Sequence, residues 1–147
     1  TGLSITEAGV FKLIAYTALN EEPVEQVASF TVSPLAASKL VFSTVADGTV
    51  DTAHGAVVTI KDQYDNKVTS AALVTVTATR GVTSGTISIP AMDGVATFTG
   101  IQIDKSGAQQ LKATETALVG YSNSFTLAAK TFSSIVLSPS NTILQTC

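Results

Sequence analysis

The sequence predicts an all-β protein in which a small sandwich module recurs along the chain. Three observations carry this prediction: short segments that alternate apolar and polar residues, a composition rich in Thr and Ser but poor in charge, and an internal repeat. Of the 147 residues, 45% are hydrophobic and only 13% are charged, and Trp is absent. Threonine and valine suit half-exposed strands, whereas a helical bundle would require more Glu, Lys, Arg and Leu.

The chain repeats itself at a spacing close to the length of one small domain. Residues 1–9 (TGLSITEAG) read again as residues 99–107 (TGIQIDKSG), an offset of 98 residues. Residues 29–32 (SFTV) return as residues 124–127 (SFTL), at an offset of 95. The first copy is therefore expected to carry a loop three residues longer, within residues 16–28. A repeat of this kind decides the architecture before any single residue does.

The repeat divides the chain into one complete module and two partial ones. Residues 38–43 return as residues 133–138 at the offset of 95, so a new copy begins there. We expect residues 35–129 to be the complete module, residues 1–34 to be the C-terminal strands of a preceding module, and residues 130–147 to be the first strand or strands of a following one. Neither partial piece is long enough to bury a core alone, which favours a chain excised from a longer array.

Seven strand-like segments fill the complete module, separated by Gly, Asn and Asp residues that suit turns. The predicted strands are residues 38–44, 55–62, 73–80, 85–89, 94–103, 108–116 and 121–128. Pro90 closes the fourth segment because proline cannot donate to a strand ladder, and Gly100 is expected to kink the fifth before Ile101 and Ile103. Seven strands in about 95 residues, without a helical period, predict an immunoglobulin-like β-sandwich.

The same alternation predicts which side chains form the core, because successive residues of a strand point to opposite faces. The residues expected to face inward are Leu40, Phe42, Val58, Ile60, Val74, Val76, Ala78, Ala96, Phe98, Leu111, Ala113, Phe125 and Leu127. Thr75, Thr77 and Thr79 fall between them and are expected to face water.

Four segments of the complete module carry a family resemblance. They are residues 38–42 (SKLVF), 55–68 (GAVVTIKDQYDNKV), 93–98 (DGVATF) and 106–114 (SGAQQLKAT). Together they resemble bacterial Ig-like tandem repeats, which occur in invasin-like adhesins, surface-layer proteins and large secreted repeat proteins. The resemblance implies a secreted or cell-surface location and a structural or adhesive role.

Two positions depart from the pattern that the resemblance implies. Gln109 stands where the family usually has an aromatic residue and where the first copy has Phe11. A glutamine there must find hydrogen-bond partners or lie near an edge. The usual Gly-Asn turn is replaced by Asp65-Asn66, which is expected to alter a loop at one end of the sandwich.

The composition argues against several classes of function. Eight basic residues among eleven acidic ones give a net charge of −3, and a nucleic-acid binder needs a basic face that displaces counterions from phosphates. No apolar run approaches the length of a membrane span. A catalytic triad needs a nucleophile, a base and an orienting group together. The only histidine, His54, is expected to be solvated in a loop. We therefore expect that the protein is not an enzyme.

Two weak site candidates remain, each with a simpler alternative. Asp62, Asp65 and Asn66 offer oxygen ligands in one loop, which suits calcium. The favoured alternative is that Asp65 and Asn66 only form a turn, so we expect no cofactor and no metal. The single cysteine, Cys147, either forms a disulfide with a partner in the following module or is an incidental buried thiol.

The sequence favours a non-catalytic structural module, a spacer or building block of a long extracellular surface protein, stalk, filament or appendage. Its expected partners are neighbouring modules of the same chain, and other copies in a filament or surface layer. The linkers, residues 33–37 and 128–131, are short, and short connectors favour a semi-rigid rod. The alternatives are an adhesin-type module that binds a glycan or host protein through its end loops, and an accessory module of a secreted enzyme. Few aromatic residues argue against the adhesin.

Overall fold

The computed structural model describes residues 2–15 and 26–131, and these residues form strands and loops without a helix. The strands are β1 (Gly9–Ala15), β2 (Gln26–Val32), β3 (Lys39–Phe42), β4 (Gly48–Thr49), β5 (His54–Lys61), β6 (Leu73–Ala78), β7 (Thr83–Gly85), β8 (Ser88–Pro90), β9 (Val95–Ile103), β10 (Gly107–Gln109), β11 (Leu111–Glu115), β12 (Leu118–Tyr121) and β13 (Phe125–Ala128). The predicted all-β class is confirmed. In this part of the chain there is thus no helix that could cross a membrane.

The strands from β3 onward form a sandwich of several sheets. One sheet has the antiparallel order β3-β5-β9-β7, and a second has the antiparallel order β12-β11-β6-β8. A third sheet has the order β10-β13-β4, in which β4 runs parallel to β13. Strands β1 and β2 form a separate antiparallel hairpin, which we call the N-terminal hairpin.

Residues 35–129 contain eleven strands instead of the seven predicted. The predicted strand 85–89 is replaced by β7 and β8, which pair with different neighbours, β9 and β6. The last two predicted strands are each interrupted, at residue 110 and at residues 122–124, so they become β10 with β11 and β12 with β13. The two-residue strand β4 was not predicted, because two residues show no periodicity.

The core lies between the sheets, and the predicted inward-facing residues are confirmed. All of them belong to one buried cluster or, in the case of Phe42 and Ala78, pack against it. The sequence alternation located this core because β5, β6 and β9 each bury alternate side chains along their length.

Gly100 lies at a β-bulge, as its sequence position predicts. Ala56 of β5 pairs with Phe98 of β9, but His54 pairs with Ile101, so β9 contains one additional residue. A regular strand would place Phe98 and Ile101 on opposite faces, yet both are buried. The bulge returns the end of β9 to the core face, as an extra residue in one strand does.

The expectation that His54 is solvated is wrong. Its side chain is buried at the start of β5, with Nε2 3.0 Å from the Thr49 carbonyl oxygen and 3.3 Å from Thr52 Oγ1. Gly48 lies so close to the imidazole that a Cβ there would overlap the ring. His54 therefore attaches β4 to β5. The sequence shows a histidine before an apolar run, but not that β4 crosses over it.

Candidate functional site

The loop that follows β5, residues 62–66 (DQYDN), contacts two segments that are distant in sequence. We call it the joint loop. It is bonded to Leu35 of the linker and to residues 6–8, which we call the entry segment because they lead into the N-terminal hairpin. This loop holds Asp62, Asp65 and Asn66, the three residues predicted as the calcium candidate.

The joint loop is closed by its own first residue. Asp62 Oδ1 accepts hydrogen bonds from the backbone amides of Tyr64 and Asn66, both at 2.9 Å, and the Asp62 amide donates to the Asn66 carbonyl at 2.9 Å. Asp65 has a φ of 71°, a left-handed conformation that aspartate tolerates better than most residues. The predicted turn is therefore present, and its shape comes from side-chain bonds to the backbone.

Asp62 is a fully buried carboxylate, with 0% of its surface exposed. Its second oxygen, Oδ2, accepts from the Leu35 amide and from Asn66 Nδ2, both at 2.9 Å. Burial acts to raise the pKa of Asp62, but the hydrogen bonds from the Asn66 side chain and from the amides of Leu35, Asn66 and Tyr64 together outweigh it. They lower the pKa to about 2, so the carboxylate is ionised at neutral pH.

Asn66 connects this carboxylate to the entry segment. Its Oδ1 accepts from the Ala8 amide at 2.8 Å, and its Nδ2 donates to the Thr6 carbonyl oxygen at 2.8 Å and to Asp62 Oδ2. The side-chain amide thus uses its acceptor and both of its donor hydrogens. Asn66 bonds only backbone groups of the entry segment, a carbonyl and the amide two residues later. The contact therefore depends on the backbone conformation of the entry segment and not on its side chains.

Asp65 stands at the exposed side of the loop. Its Oδ1 lies 3.0 Å from Lys39 Nζ and 3.8 Å from Lys61 Nζ. Exposed ion pairs of this kind contribute little to stability. The two ion pairs orient the Asp65 carboxylate toward Lys39 of β3 and Lys61 of β5.

Both carboxylate oxygens of Asp62, and the Oδ1 atoms of Asn66 and Asp65, therefore already contact nitrogen donors. Calcium takes six to eight oxygen ligands, and an ion here would have to displace amide or ammonium groups. In residues 2–15 and 26–131, no group of three or more His, Cys, Asp or Glu side chains could hold a metal ion. The sequence singled out this loop as a calcium candidate, and it did not reveal the contacts with Thr6, Ala8 and Leu35, which contribute only backbone groups.

The N-terminal hairpin leads away from the joint with apolar side chains in solvent. Phe11 and Phe30 stack across the two strands, with ring centroids 6.0 Å apart. Val10, Leu13 and Ile14 are exposed. The hairpin and the sandwich are therefore very different in burial, although the joint loop connects them.

Three predictions concern residues that lie wholly or mostly outside the described part of the chain. Cys147, proposed to form a disulfide, lies there, as does residue 132 onward of the piece predicted to start a following module. The loop difference predicted within residues 16–28 also lies mostly there.

Comparisons with known proteins identify no relative of this chain among protein families or curated proteins. A scan against known protein families finds none that matches the chain, and a search of curated proteins finds no match either.

Proposed function

We propose that the protein is a non-catalytic structural repeat module of a long extracellular surface protein, stalk, filament or appendage. The observation that carries the proposal is the joint: Asn66 bonds the entry segment, which lies 58 and 60 residues earlier in the chain, and Asp62 bonds the linker between them. A buried, ionised carboxylate is costly unless it is fully hydrogen-bonded. Here it is used to hold one unit of the chain against the next.

Strand order supports an immunoglobulin-like topology for residues 35–129. In such a sandwich, the first, second, fifth and fourth strands form one sheet, and the third, sixth and seventh form the other. The sheet β3-β5-β9-β7 has the first order, and β6, β11 and β12 lie together in the second. The parallel pairing of β4 with β13 suits a first strand that crosses between the sheets.

Strand register supports the tandem repeat. In the N-terminal hairpin, Gly9 pairs with Val32 and Phe11 pairs with Phe30. Offsets of 98 and 95 residues convert these pairs into Gly107 with Leu127 and Gln109 with Phe125, which are the pairs between β10 and β13. The N-terminal hairpin thus has the register of the last hairpin of a module, as residues 1–34 would in a preceding copy.

The joint suits a module that transmits orientation along an array. Repeat proteins are stabilised by each unit and by its contacts with neighbours. A short linker limits the swing between units, and the bonds from Asp62 and Asn66 limit it further. We therefore propose a stiff spacer, in which the chemistry of the end loops serves the contact between modules.

The size of the polypeptide in its source organism tests the proposal. Protein would be released from the outer surface of intact cells, separated under denaturing conditions and identified by peptides from residues 35–129. We expect a mass many times the 15.1 kDa of this chain. A mass near 15.1 kDa, or a signal confined to the cell interior, would contradict the proposal.

A glycan array distinguishes the structural role from the adhesin alternative. Tyr64 in the joint loop is half exposed, and Tyr121 on β12 is exposed at a different place. Under our proposal the protein binds no glycan reproducibly. Binding that Tyr64→Ala abolishes and Tyr121→Ala preserves would replace the spacer with a binding module.

A further inference from the structure

The loop between β9 and β10, residues 104–106, corresponds in the complete module to the entry segment. The repeat offset of 98 converts Thr6 into Asp104 and Ala8 into Ser106. We propose that residues 104–106 are the docking surface for the joint loop of a following copy of the module, so that the same hydrogen-bonded joint recurs along the chain. This inference rests on the proposed function as a tandem array.

The docking groups of this loop are accessible. Asp104, Lys105 and Ser106 are all exposed. At the first joint, Asn66 bonds the Thr6 carbonyl and the Ala8 amide. Within the described residues, the corresponding carbonyl of Asp104 and amide of Ser106 have no hydrogen-bond partner. An asparagine side chain can therefore approach them as Asn66 approaches the entry segment.

Hydrogen bonds to Val82 and Gln109 of the same module also fix the conformation of residues 104–106. Asp104 Oδ1 accepts from the Val82 amide at 2.7 Å, and the Asp104 amide donates to the Val82 carbonyl at 3.3 Å. Gln109 Nε2 donates to the Lys105 carbonyl at 2.6 Å. The first and middle residues of the loop are thus attached to the module, which leaves the carbonyl of Asp104 and the amide of Ser106 as a preformed pair.

This arrangement gives Gln109 a positioning role. Its side chain is 2% exposed, and its Oε1 has no hydrogen-bond partner in the described part of the chain. An unpaired buried oxygen costs stability, and the first copy has Phe11 at this position. We infer that Gln109 holds the Lys105 peptide and so fixes the docking loop.

The chain leaves the module beside this loop. The Asp51 amide donates to the Ile103 carbonyl at 2.9 Å, and the Val50 amide donates to the Ala128 carbonyl at 3.0 Å. Lys130 Nζ lies 3.4 Å from Asp51 Oδ2. The turn at residues 50–51 thus ties the end of β9 to the exit of the chain. The offset of 95 makes Lys130 the counterpart of Leu35, the linker residue bound by Asp62.

A chain with two complete modules tests the inference directly. Residues 1–130 would be followed by residues 36–131, which places a second copy in the phase of the repeat and omits Cys147. Exposed Thr77 would be changed to Cys in each copy, spin-labelled, and the distance between labels measured by pulsed electron resonance. We expect one narrow distance distribution.

Matched variants identify the joint that sets this distribution. Asn66→Ala in the second copy should at least double the width of the distance distribution between the two spin labels. Gln109→Met in the first copy should also broaden that distribution. Asn66→Ala in the first copy is the control. It removes the same bond to Asp62 and releases the entry segment, but it lies outside the contact between the two copies and should leave the width unchanged. Circular dichroism and thermal unfolding would verify that every variant is folded.

The outcomes separate this inference from the proposed function. A broad distribution in the unmodified chain, or one that second-copy Asn66→Ala does not change, overturns the docking surface. If the source polypeptide is many times 15.1 kDa in that case, the array stands and its modules swing freely. A narrow distribution that depends on second-copy Asn66 supports the docking surface whatever the mass.

Discussion

The N-terminal hairpin shares a strand register with the pair β10 and β13 of the sandwich, but the two regions differ in burial. Leu13 of β1 is 49% exposed, whereas Leu111, its counterpart in β11, is 0% exposed. The difference arises because Leu111 belongs to a buried cluster with side chains of β3, β5, β6 and β9, and no described residue of the N-terminal hairpin belongs to that cluster. The comparison teaches that an amphipathic hairpin only supplies an apolar face. That face becomes part of a core when strands from another sheet pack against it.

The largest expected effect is the difference in stability between alanine substitutions of Leu111 and Leu13. Leu111→Ala should lower the free energy of unfolding by about 2–5 kcal/mol, because it leaves a cavity in a packed core. Leu13→Ala should change it by about 0.5 kcal/mol or less, as exposed substitutions do. Urea unfolding of both variants measures the difference. Equal losses would mean that the N-terminal hairpin is covered in solution.

The contact between β4 and β5 exists only in the sandwich. Gly48→Ala would force the His54 ring away from its bond to the Thr49 carbonyl, and such overpacking costs roughly 1–3 kcal/mol. Gly55→Ala is the control, since the nearest atom to a Cβ there is 3.5 Å away. Thermal unfolding should show a lower midpoint for Gly48→Ala alone. Identical midpoints would contradict the packing of His54 on Gly48.

Acid should weaken the joint and the sandwich together. The pKa of Asp62 is lowered from an ordinary value of 3.8 to about 2. The stabilisation that the ionised carboxylate provides is therefore complete above pH 3.8 and is lost as the pH falls through about 2. Urea midpoints measured across this range should decline.

Two variants assign this acid transition. Asp62→Asn should flatten the decline, because it removes the titrating group. Lys67 and Thr69 donate hydrogen bonds to Asp93, and the Lys67 charge is close by, so the pKa of Asp93 is lowered as well. Asp93→Asn should remove only a minor part of the decline, since Asp93 is exposed. A decline that survives in Asp62→Asn would be evidence against Asp62 as its source.

Asn66→Ala should release the entry segment, and it should also destabilise the sandwich because it removes one hydrogen bond from the buried Asp62 carboxylate. Loss of the bond to the Ala8 amide, worth about 1 kcal/mol, should speed exchange of that amide about 5-fold to 10-fold. Hydrogen exchange followed by nuclear magnetic resonance measures the rate. Gln63→Ala in the same loop should leave it unchanged. An unchanged rate in Asn66→Ala would refute the joint.

The smallest expected effect is a gain in stability. Gln109→Met keeps the side-chain length and removes the buried unpaired Oε1. It also removes the bond from Nε2 to the Lys105 carbonyl, but Lys105 is exposed and water can replace that bond, so the sandwich should gain about 1 kcal/mol. Gln110→Met serves as the comparison, because it removes a bond from Gln110 Nε2 to the Ser122 carbonyl and should not stabilise. Urea unfolding measures both. A loss of stability in Gln109→Met would mean that the bond to Lys105 outweighs the unpaired oxygen.

Much of the sandwich was predictable because its signals are local in sequence. Alternation located Val58, Val76 and Leu111 in the core, and Gly100 marked the bulge in β9. Asp65 and Asn66 also predicted the turn after β5, where Asp65 has a φ of 71°. Each of these signals comes from residues within one strand or turn, where side-chain direction and backbone freedom follow from the residue types themselves.

By itself the sequence determined the all-β class and the core residues, and its internal similarity is the basis of the proposed repeat. Tertiary structure alone decided the burial of His54, the division of residues 83–90 between two sheets, and the contact of Asn66 with the entry segment. The physical reason is that these contacts join residues through backbone groups or crossing strands. Every residue offers the same backbone carbonyl, and all but proline the same amide. Residue types therefore do not reveal which of these groups meet.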